Sequence, residues 1–460
     1  MDFAATVQSQ RAFFAAGATR PAGFRRAQLE AFSTALVRHE AALHAALHAD
    51  LRKSPAQACA SETGLLQAEI RHALRHLADW TAPARHKTPW FVAPARGWVQ
   101  AEPRGVSLIL GPWNYPVQLL LVPLVSAIAA GNCAVLKPSE LAPRTAAAIA
   151  ALIRETFAEQ FIAVVPGGAD VAEALLRERF DHIFFTGSTR VGRLVLAAAA
   201  KHLTPVTLEL GGKCPVIVCG DAPVALAAKR IAWGKFLNAG QTCVAPDFVL
   251  VPRGTRAAFV AALKESLRDF YGADARQSAD YGRIVNARHF ERLLGYLRDG
   301  TMAHGGAHDP QDLYLAPVIL TDVSPASPVM QEEIFGPILP VLEYDTLDEA
   351  LAWLRGRPTP LAIYVFTRDR ATEARVLAGT RSGGACVNDV VSHIIGSGLP
   401  FGGLGESGLG AYHGRAGFDA FSHRRSILRR ALWLDPPFRY PPQKLSLARL
   451  RRAVRFLLRN

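Results

Sequence analysis

Residues 182–192 read His-Ile-Phe-Phe-Thr-Gly-Ser-Thr-Arg-Val-Gly. A short apolar run, His182 to Phe185, passes through a turn of small residues into a helical pattern over Val191–Ala200. A strand this short and apolar, followed directly by a helix, suits a sheet buried on both faces. The same succession occurs three times upstream. Val106–Leu110 precedes a helix over Val117–Ala130, Cys133–Leu136 precedes one over Arg144–Phe157, and Ile162–Val165 precedes one over Val171–Glu178. Short apolar strands alternating with helices predict an α/β fold with a doubly wound parallel sheet. Ligands of such sheets lie outside the carboxyl ends of the strands. The residues that follow each strand are therefore the first candidates for a site: Gly111-Pro-Trp-Asn114, Lys137-Pro-Ser-Glu140, Pro166-Gly-Gly168 and Thr186 to Gly192.

Upstream, residues 1 to about 80 predict helices, with Leu29, Phe32, Leu36, Leu43 and Leu47 recurring at three- and four-residue spacing. Thr81 to Arg104 holds Pro83, Pro89, Trp90, Pro94 and Trp98 and predicts an extended arm or hairpin. Downstream, a second alternating region runs from Pro215 to about Val391. Its expected strands are Val216–Val218, Phe248–Val251 and Ile363–Phe366, and its expected helices Val224–Asn238, Arg256–Asp269 and Leu347–Arg355. A chain of 460 residues is long enough for two or three domains.

Half the residues are apolar and a fifth are charged, as in a soluble globular protein. The uncharged run Tyr115–Leu136 is interrupted by Pro116, Pro123, Gly131 and Asn132, and predicts a buried helix leading into a buried strand rather than a bilayer span. The six cysteines form no CxxC, and no Cys/His cluster has ligand spacing, so neither a disulfide framework nor a metal site is expected. A reducing, cytoplasmic setting fits, and the first residues show no signal peptide. The net charge of +13 is concentrated at one end. From Phe421 onward there are eleven Lys/Arg and one acid, Asp435, so the last forty residues carry +10 and all the others +3. The basicity belongs to the tail and gives no reason to expect nucleic acid. Lys444 to Arg459 predicts an amphipathic helix, with Leu447, Leu450, Val454 and Leu457 on one face and Lys444, Arg451, Arg455 and Arg459 on another. Such a helix suits either the surface of an anionic membrane or a place against the protein itself.

Cys243 sits in Gly-Gln-Thr-Cys-Val-Ala-Pro (240–246), a turn of small and polar residues able to hold a thiol in the open, whereas other cysteines lie in apolar runs. It is either a nucleophile or an inert buried thiol. Asn114, in Gly-Pro-Trp-Asn-Tyr-Pro, has an amide able to donate to a developing oxyanion or to cap its own turn. Glu209, in Leu-Glu-Leu-Gly-Gly-Lys, is an acid at an apolar strand end, where it needs either a cationic partner or a chemical role. Gly187, Ser188 and Gly192 form a strand-to-helix turn of the kind that accepts a phosphate. Lys137 and Glu140 follow a buried strand, where ribose hydroxyls can be held; an acid there slightly favours NAD over NADP.

Seven motifs occur in a fixed order over residues 111–414: Gly-Pro-Trp-Asn-Tyr-Pro, Leu-Lys-Pro-Ser-Glu, Phe-Thr-Gly-Ser-Thr-Arg-Val-Gly, Leu-Glu-Leu-Gly-Gly-Lys, Gly-Gln-Thr-Cys, Glu-Glu-Ile-Phe-Gly-Pro and Leu-Pro-Phe-Gly-Gly. Together they resemble the NAD(P)-dependent aldehyde dehydrogenases. The short N-terminus, Cys-Val-Ala-Pro-Asp (243–247) and Gly-Ala-Tyr-His-Gly (410–414) are most similar to the class 3 branch, acting on fatty and aromatic aldehydes and including coniferyl aldehyde dehydrogenases. The resemblance implies that Cys243 attacks the aldehyde while Asn114 and the Cys243 backbone N–H hold the oxyanion. It implies that hydride passes to NAD or NADP and that Glu209 activates water to release the acid from a thioester. Lys137 and Glu140 would hold the adenosine ribose, Gly187, Ser188 and Gly192 would lie near the pyrophosphate, and Glu333 and Phe335 would position the nicotinamide end. It also implies a cofactor domain over 1–80 and 105–208, a catalytic α/β domain over 209–393, and a small β oligomerisation arm over 81–104 and 394–430. The basic tail would be 431–460 and the assembly a homodimer. Glu406, where relatives more often carry a small or polar residue, is expected near a subunit interface or the mouth of the site. His413 matches a class 3 histidine and is read as structural. Two other readings are a coenzyme A-acylating dehydrogenase and a non-catalytic family member at a membrane; Glu209 argues against the first, and the set Cys243, Glu209 and Asn114 against the second.

Overall fold

The computed structural model describes residues 3–89, 92–435, 439–442 and 446–457. Its organising element is a six-stranded sheet ordered Gly408–Leu409, Val206–Glu209, His182–Thr186, Val106–Leu110, Cys133–Lys137, Ile162–Val164. All neighbours pair in parallel except the Gly408–Leu409 edge, which runs antiparallel to Val206–Glu209. Every residue of the Val106–Leu110, Cys133–Lys137 and His182–Thr186 strands is buried, which explains why they read as unbroken apolar runs rather than alternating ones. The four strands and four helices expected from 106 to 200 are all present, with ends shifted by up to three residues. The helix Gln118–Ala130 is buried along its whole length, so the uncharged run lies inside the protein. The Phe3–Ala15 and Ala22–Leu51 helices cover the same unit.

The sheet order matters for function. The chain starts at Val106–Leu110, proceeds outward through the next two strands, then returns to place His182–Thr186 on the other side of the first. Where the winding reverses, the loops after Leu110 and Thr186 diverge and open a crevice.

The second region forms a seven-stranded sheet ordered Thr301–His304, Val318–Thr321, Ile338–Tyr344, Phe248–Pro252, Pro215–Val218, Ala362–Phe366, Gly384–Val387. It is parallel apart from the Thr301–His304 edge. The expected Phe248, Pro215 and Ala362 strands lie in its centre. The Ile338–Tyr344 strand escaped a sequence reading because Pro340 sits inside it, paired with Leu320, and a proline argues against a central strand.

The proline-rich segment gives two antiparallel strands, Ala84–His86 and Ala95–Pro103, and the latter pairs over nine residues with Ser422–Arg430. Not all of 394–430 stays with this small sheet. Gly408–Leu409 joins the six-stranded sheet, and the helix Gly414–Ala420 packs on the Gly64–Thr81 and Gln118–Ala130 helices. The tail contains a helix over Leu447–Leu457 on which Leu447, Leu450 and Val454 are exposed; Lys444 and Arg459 fall outside the described residues. Among the described residues no helix is long and apolar enough to cross a membrane.

Candidate active site

The crevice deepens into a cavity of about 1100 Å³, lined by residues from both large sheets, including Asn114, Ser188, Glu209, Cys243, Glu333 and Phe335. Sequence-distant motifs therefore meet at one place. Gly187 also lines it. Gly192 lies one turn into the Thr189–Ala200 helix, where a Cβ would stand 2.6 Å from Leu210, so its smallness lets that helix pack closely on the sheet. Ser188 caps this helix by accepting from the Val191 N–H, at 3.4 Å. Lys137 and Glu140 are not among the lining residues; they pair with each other at 2.5 Å, with Lys137 buried and Glu140 exposed.

Cys243 follows an unusual turn. Asn238 (φ 53°), Ala239 (φ 52°) and Gly240 (φ 75°) are all left-handed, a conformation that only surrounding contacts can hold. Those contacts are present. Asn238 Nδ2 donates to the Asn114 carbonyl at 2.9 Å, and Gln241 Nε2 donates to the Asn238 and Arg283 carbonyls at 3.1 and 2.9 Å. Gln241 Oε1 accepts from Val285 N at 3.0 Å. A Cβ on Gly240 would lie 2.2 Å from the Gly336 carbonyl oxygen, which fixes glycine there. Cys243 is half-buried, while Cys133, Cys214, Cys219 and Cys386 are buried. Cys59 is exposed, so Cys243 is not alone in having an accessible thiol. Burial, followed by the nearby Glu333 and Glu209 carboxyls, pushes the Cys243 thiol well above its ordinary range.

Asn114 is buried, and its Nδ2 donates to the Gln241 carbonyl at 3.0 Å. An amide nitrogen carries two hydrogens, so one remains for a ligand. Glu209 ends its strand 2% exposed, and neither carboxyl oxygen has a hydrogen-bond partner among the described residues. Among the described residues the structural pairing with a cation is therefore absent. Burial alone raises its pKa well above the carboxylate range. A buried carboxyl beside a cavity, unpartnered among the described residues, has the makings of a general base whose proton affinity burial raises.

Glu333 is raised to about 8 by burial and then by Asp247, and its Oε1 is also without a hydrogen-bond partner among the described residues. Its loop is tied down on both sides. Arg292 donates to the Glu333 and Ile334 carbonyls at 3.3 and 2.8 Å, and Asp247 accepts from Ile334 N at 3.0 Å while pairing with Lys213. Phe335 is left-handed (φ 48°) and meets the Trp113 ring edge-on at 5.3 Å. Glu406 lines the mouth of the cavity, paired with Arg193 at 3.1 Å. His413 is buried and stacks on Phe401; its Nε2 has no partner among the described residues, and burial lowers it to about 4.

Several supporting residues had no sequence reading: Lys53, Glu62, Asn238, Gln241, Lys213, Asp247 and Arg292. Gln241 and Lys213 lie inside quoted motifs, but Lys53 and Glu62 are more than fifty residues from Asn114 and Val117 and carry no local signal.

A doubly wound sheet facing a second α/β unit, with a thiol and a carboxyl unpaired among the described residues in the shared cavity, suits a nucleotide-dependent oxidoreductase of the thiol type. The chain belongs to the aldehyde dehydrogenase family, whose model, described as "Aldehyde dehydrogenase family", matches residues 1–427. It is 46% identical to the dimeric NADP-preferring aldehyde dehydrogenase of Rattus norvegicus over 96% of this chain and 98% of that protein. The substrate-bound structure of Staphylococcus aureus AldH superposes with a TM-score of 0.96 at 42% identity, covering 98% of both chains. An indole-3-acetaldehyde dehydrogenase in complex with NAD+ superposes at 0.85 with 29% identity, covering 94% of this chain and 89% of the other. The expectations of an α/β aldehyde dehydrogenase of the class 3 branch, using NAD or NADP and oxidising an aldehyde to an acid, hold.

Proposed function

We propose that Cys243, Glu209 and Asn114 carry this oxidation, on medium- or long-chain aliphatic or aromatic aldehydes. The Cys243 thiol gives its proton to water as its sulfur bonds to the aldehyde carbon, and the carbonyl oxygen becomes an oxyanion held by the free Asn114 N–H and the Cys243 backbone N–H. NAD or NADP, when bound, supplies the acceptor for the hydride that leaves this carbon, so that a thioester remains on Cys243. Glu209 then takes a proton from water as the water oxygen attacks the thioester carbon. Collapse of the second oxyanion breaks the carbon–sulfur bond, returning the thiolate and releasing the carboxylic acid. Glu209 carries the reading: a buried acid, both of whose oxygens are unpartnered among the described residues, opening onto the cavity that holds the thiol. It also favours release to water over transfer to coenzyme A.

The residues present fit a dinucleotide. The turn Gly187-Ser188 opens a helix whose N-terminus favours a phosphate, and Glu333 Oε1 is an acceptor awaiting a donor such as a ribose hydroxyl. In this reading Gly187, Ser188 and Gly192 approach the pyrophosphate, Lys137 and Glu140 hold the adenosine ribose, and Glu333 and Phe335 orient the nicotinamide end. The unit of 1–80 and 105–208 serves as the cofactor domain and 209–393 as the catalytic domain. The sheet of 81–104 with 422–430 is an oligomerisation arm in a homodimer, consistent with its uncovered edge strand and with a relative named as dimeric. The enzyme acts in the cytoplasm. The tail helix touches an anionic membrane surface, which its exposed Leu447, Leu450 and Val454 beside Arg451 and Arg455 support.

Cys243→Ser decides the chemistry: full dehydrogenase activity in that variant would refute the mechanism. For the tail, flotation of the full chain and of one ending at Asp435 with anionic vesicles should separate the two, and equal partitioning would end the membrane reading.

A further inference from the structure

One ion pair lies behind the site without taking part in it. Lys53 follows the Ala22–Leu51 helix, which ends at the left-handed Arg52, and Glu62 lies on a five-residue π-turn, Cys59–Thr63. Their charged groups meet at 2.5 Å with side chains 1% and 0% exposed. Taking both charges out of water costs more than a hydrophobic pair of the same size would, so stability alone explains the pair poorly. A π-turn is a costly irregularity that tends to occur where a side chain must be aimed.

What the pair holds is the loop that carries Asn114. Lys53 Nζ donates to the Asn114 carbonyl at 2.8 Å and lies 3.9 Å from the centre of the Tyr115 ring. The second oxygen of Glu62 accepts from Val117 N and Gln118 N, both at 2.9 Å. The helix that starts there has no side-chain cap of its own at Val117, so Glu62 acts as that cap from a distance. The stretch between Leu110 and Gln118 is thus fastened at Asn114, Tyr115 and Val117 by one pair. On its other side, Tyr115 Oη is 2.6 Å from Thr242 Oγ1, and Asn114 reaches the Gln241 carbonyl, binding the loop to the cysteine turn. With its backbone carbonyl and one amide hydrogen fixed, the remaining hydrogen of Asn114 has a single direction.

We propose that Lys53 and Glu62 are positioning residues that aim the Asn114 amide at the oxyanion of the reaction; this rests on the role given to Asn114 above. The test is a double-mutant cycle of Lys53→Met against Asn114→Ala, reading kcat, KM, the pre-steady-state burst of NADH and the fluorescence-measured Kd for NADH. Misplacing a reacting group by about 1 Å costs on the order of 100-fold, so Lys53→Met should lower kcat roughly 10- to 100-fold. KM and the Kd for NADH should stay within about 3-fold. In the Asn114→Ala background, Lys53→Met should cost no more than about 3-fold further, because the donor it aims is gone. Glu62→Gln, which keeps an acceptor for the two N–H groups but breaks the ion pair, should show the same non-additivity. Losses that multiply in the double variant, or that fall equally on NADH binding, would overturn the proposal. So would failure of both single variants to fold, which would make the pair structural. If Asn114→Ala itself leaves kcat unchanged, the oxyanion assignment fails and the proposal with it. Multiplying losses alongside a damaging Asn114→Ala would sink only the positioning role.

Discussion

Glu209→Gln is the substitution that separates the two halves of the reaction. Gln has nearly the same shape as Glu, and the carboxyl of Glu209 has no partner among the described residues, so the exchange breaks no hydrogen bond. It removes only the ability to accept a proton. A general base contributes about 100- to 10,000-fold. Steady-state turnover should therefore fall by about that factor. Aldehyde attack and hydride loss do not need this base, so the first turnover should survive. Rapid mixing should show a burst of NADH approaching one per site, followed by a slow phase, and mass spectrometry of the quenched enzyme should find the acyl group on Cys243. Undiminished steady-state turnover would refute the assignment, and so would a slow enzyme that accumulates no thioester. The same substitution carries a stability signature. A carboxyl whose folded pKa is raised stabilises the fold only while protonated, and this contribution is lost as pH rises from the ordinary carboxylate range through the raised value. Wild-type stability should fall across that window at up to about 1.4 kcal/mol per pH unit, and Glu209→Gln should remove this slope.

Asn114→Ala should lower kcat by roughly 100- to 1,000-fold with the Kd for NADH nearly unchanged, as measured by steady-state kinetics and fluorescence titration. Glu333, raised to about 8, should likewise lose its contribution between its ordinary value of 4.5 and pH 8, so Glu333→Gln should gain stability over wild type as pH increases through that range; a constant difference in denaturant midpoint from pH 5 to pH 9 would contradict this. Gly240→Ala meets the Gly336 carbonyl and a left-handed backbone, and should destabilise by about 1–3 kcal/mol from the backbone alone, seen in chemical denaturation, while lowering activity through the Cys243 turn.

The parts of this protein that the sequence discloses are those fixed by local rules. The buried strands from Val106 to Thr186 have no polar face, so they appear as apolar runs of strand length, and each is followed by a helix pattern. Their order across the sheet is one of the common doubly wound arrangements, a choice that local patterns do not make. Cys243, Asn114 and Glu209 stood out as candidates because each sits among residues of restricted geometry, and the structure brings all three to one cavity. What escaped reading depends on distance. Lys53 lies just past the end of a helix and Glu62 on a short π-turn, and nothing near them in sequence announces that their partners are Asn114 and Val117. The Ile338–Tyr344 strand was hidden by Pro340. Within 394–430 the departure of Gly408–Leu409 to another sheet is a two-residue pairing, too short to have a pattern.

The remaining chemical question is how Cys243 loses its proton, and the geometry narrows it. Burial raises the thiol first, and the charges of Glu333 and Glu209 raise it further. Both carboxyls are themselves raised by burial, so ionising them together beside the thiol is disfavoured. Neither oxygen of Glu209 accepts a hydrogen bond from any described residue, so no direct path from the sulfur to this carboxyl is set up, and in the proposed reaction the thiol proton leaves to water as the sulfur attacks. Attack and deprotonation are then one event, drawn forward by the oxyanion donors, rather than the use of a preformed thiolate. Iodoacetamide labelling of Cys243 in the free enzyme should accordingly be slow at pH 7 and accelerate only at alkaline pH, and labelling as fast as that of a thiol of pKa below about 7 would overturn this account.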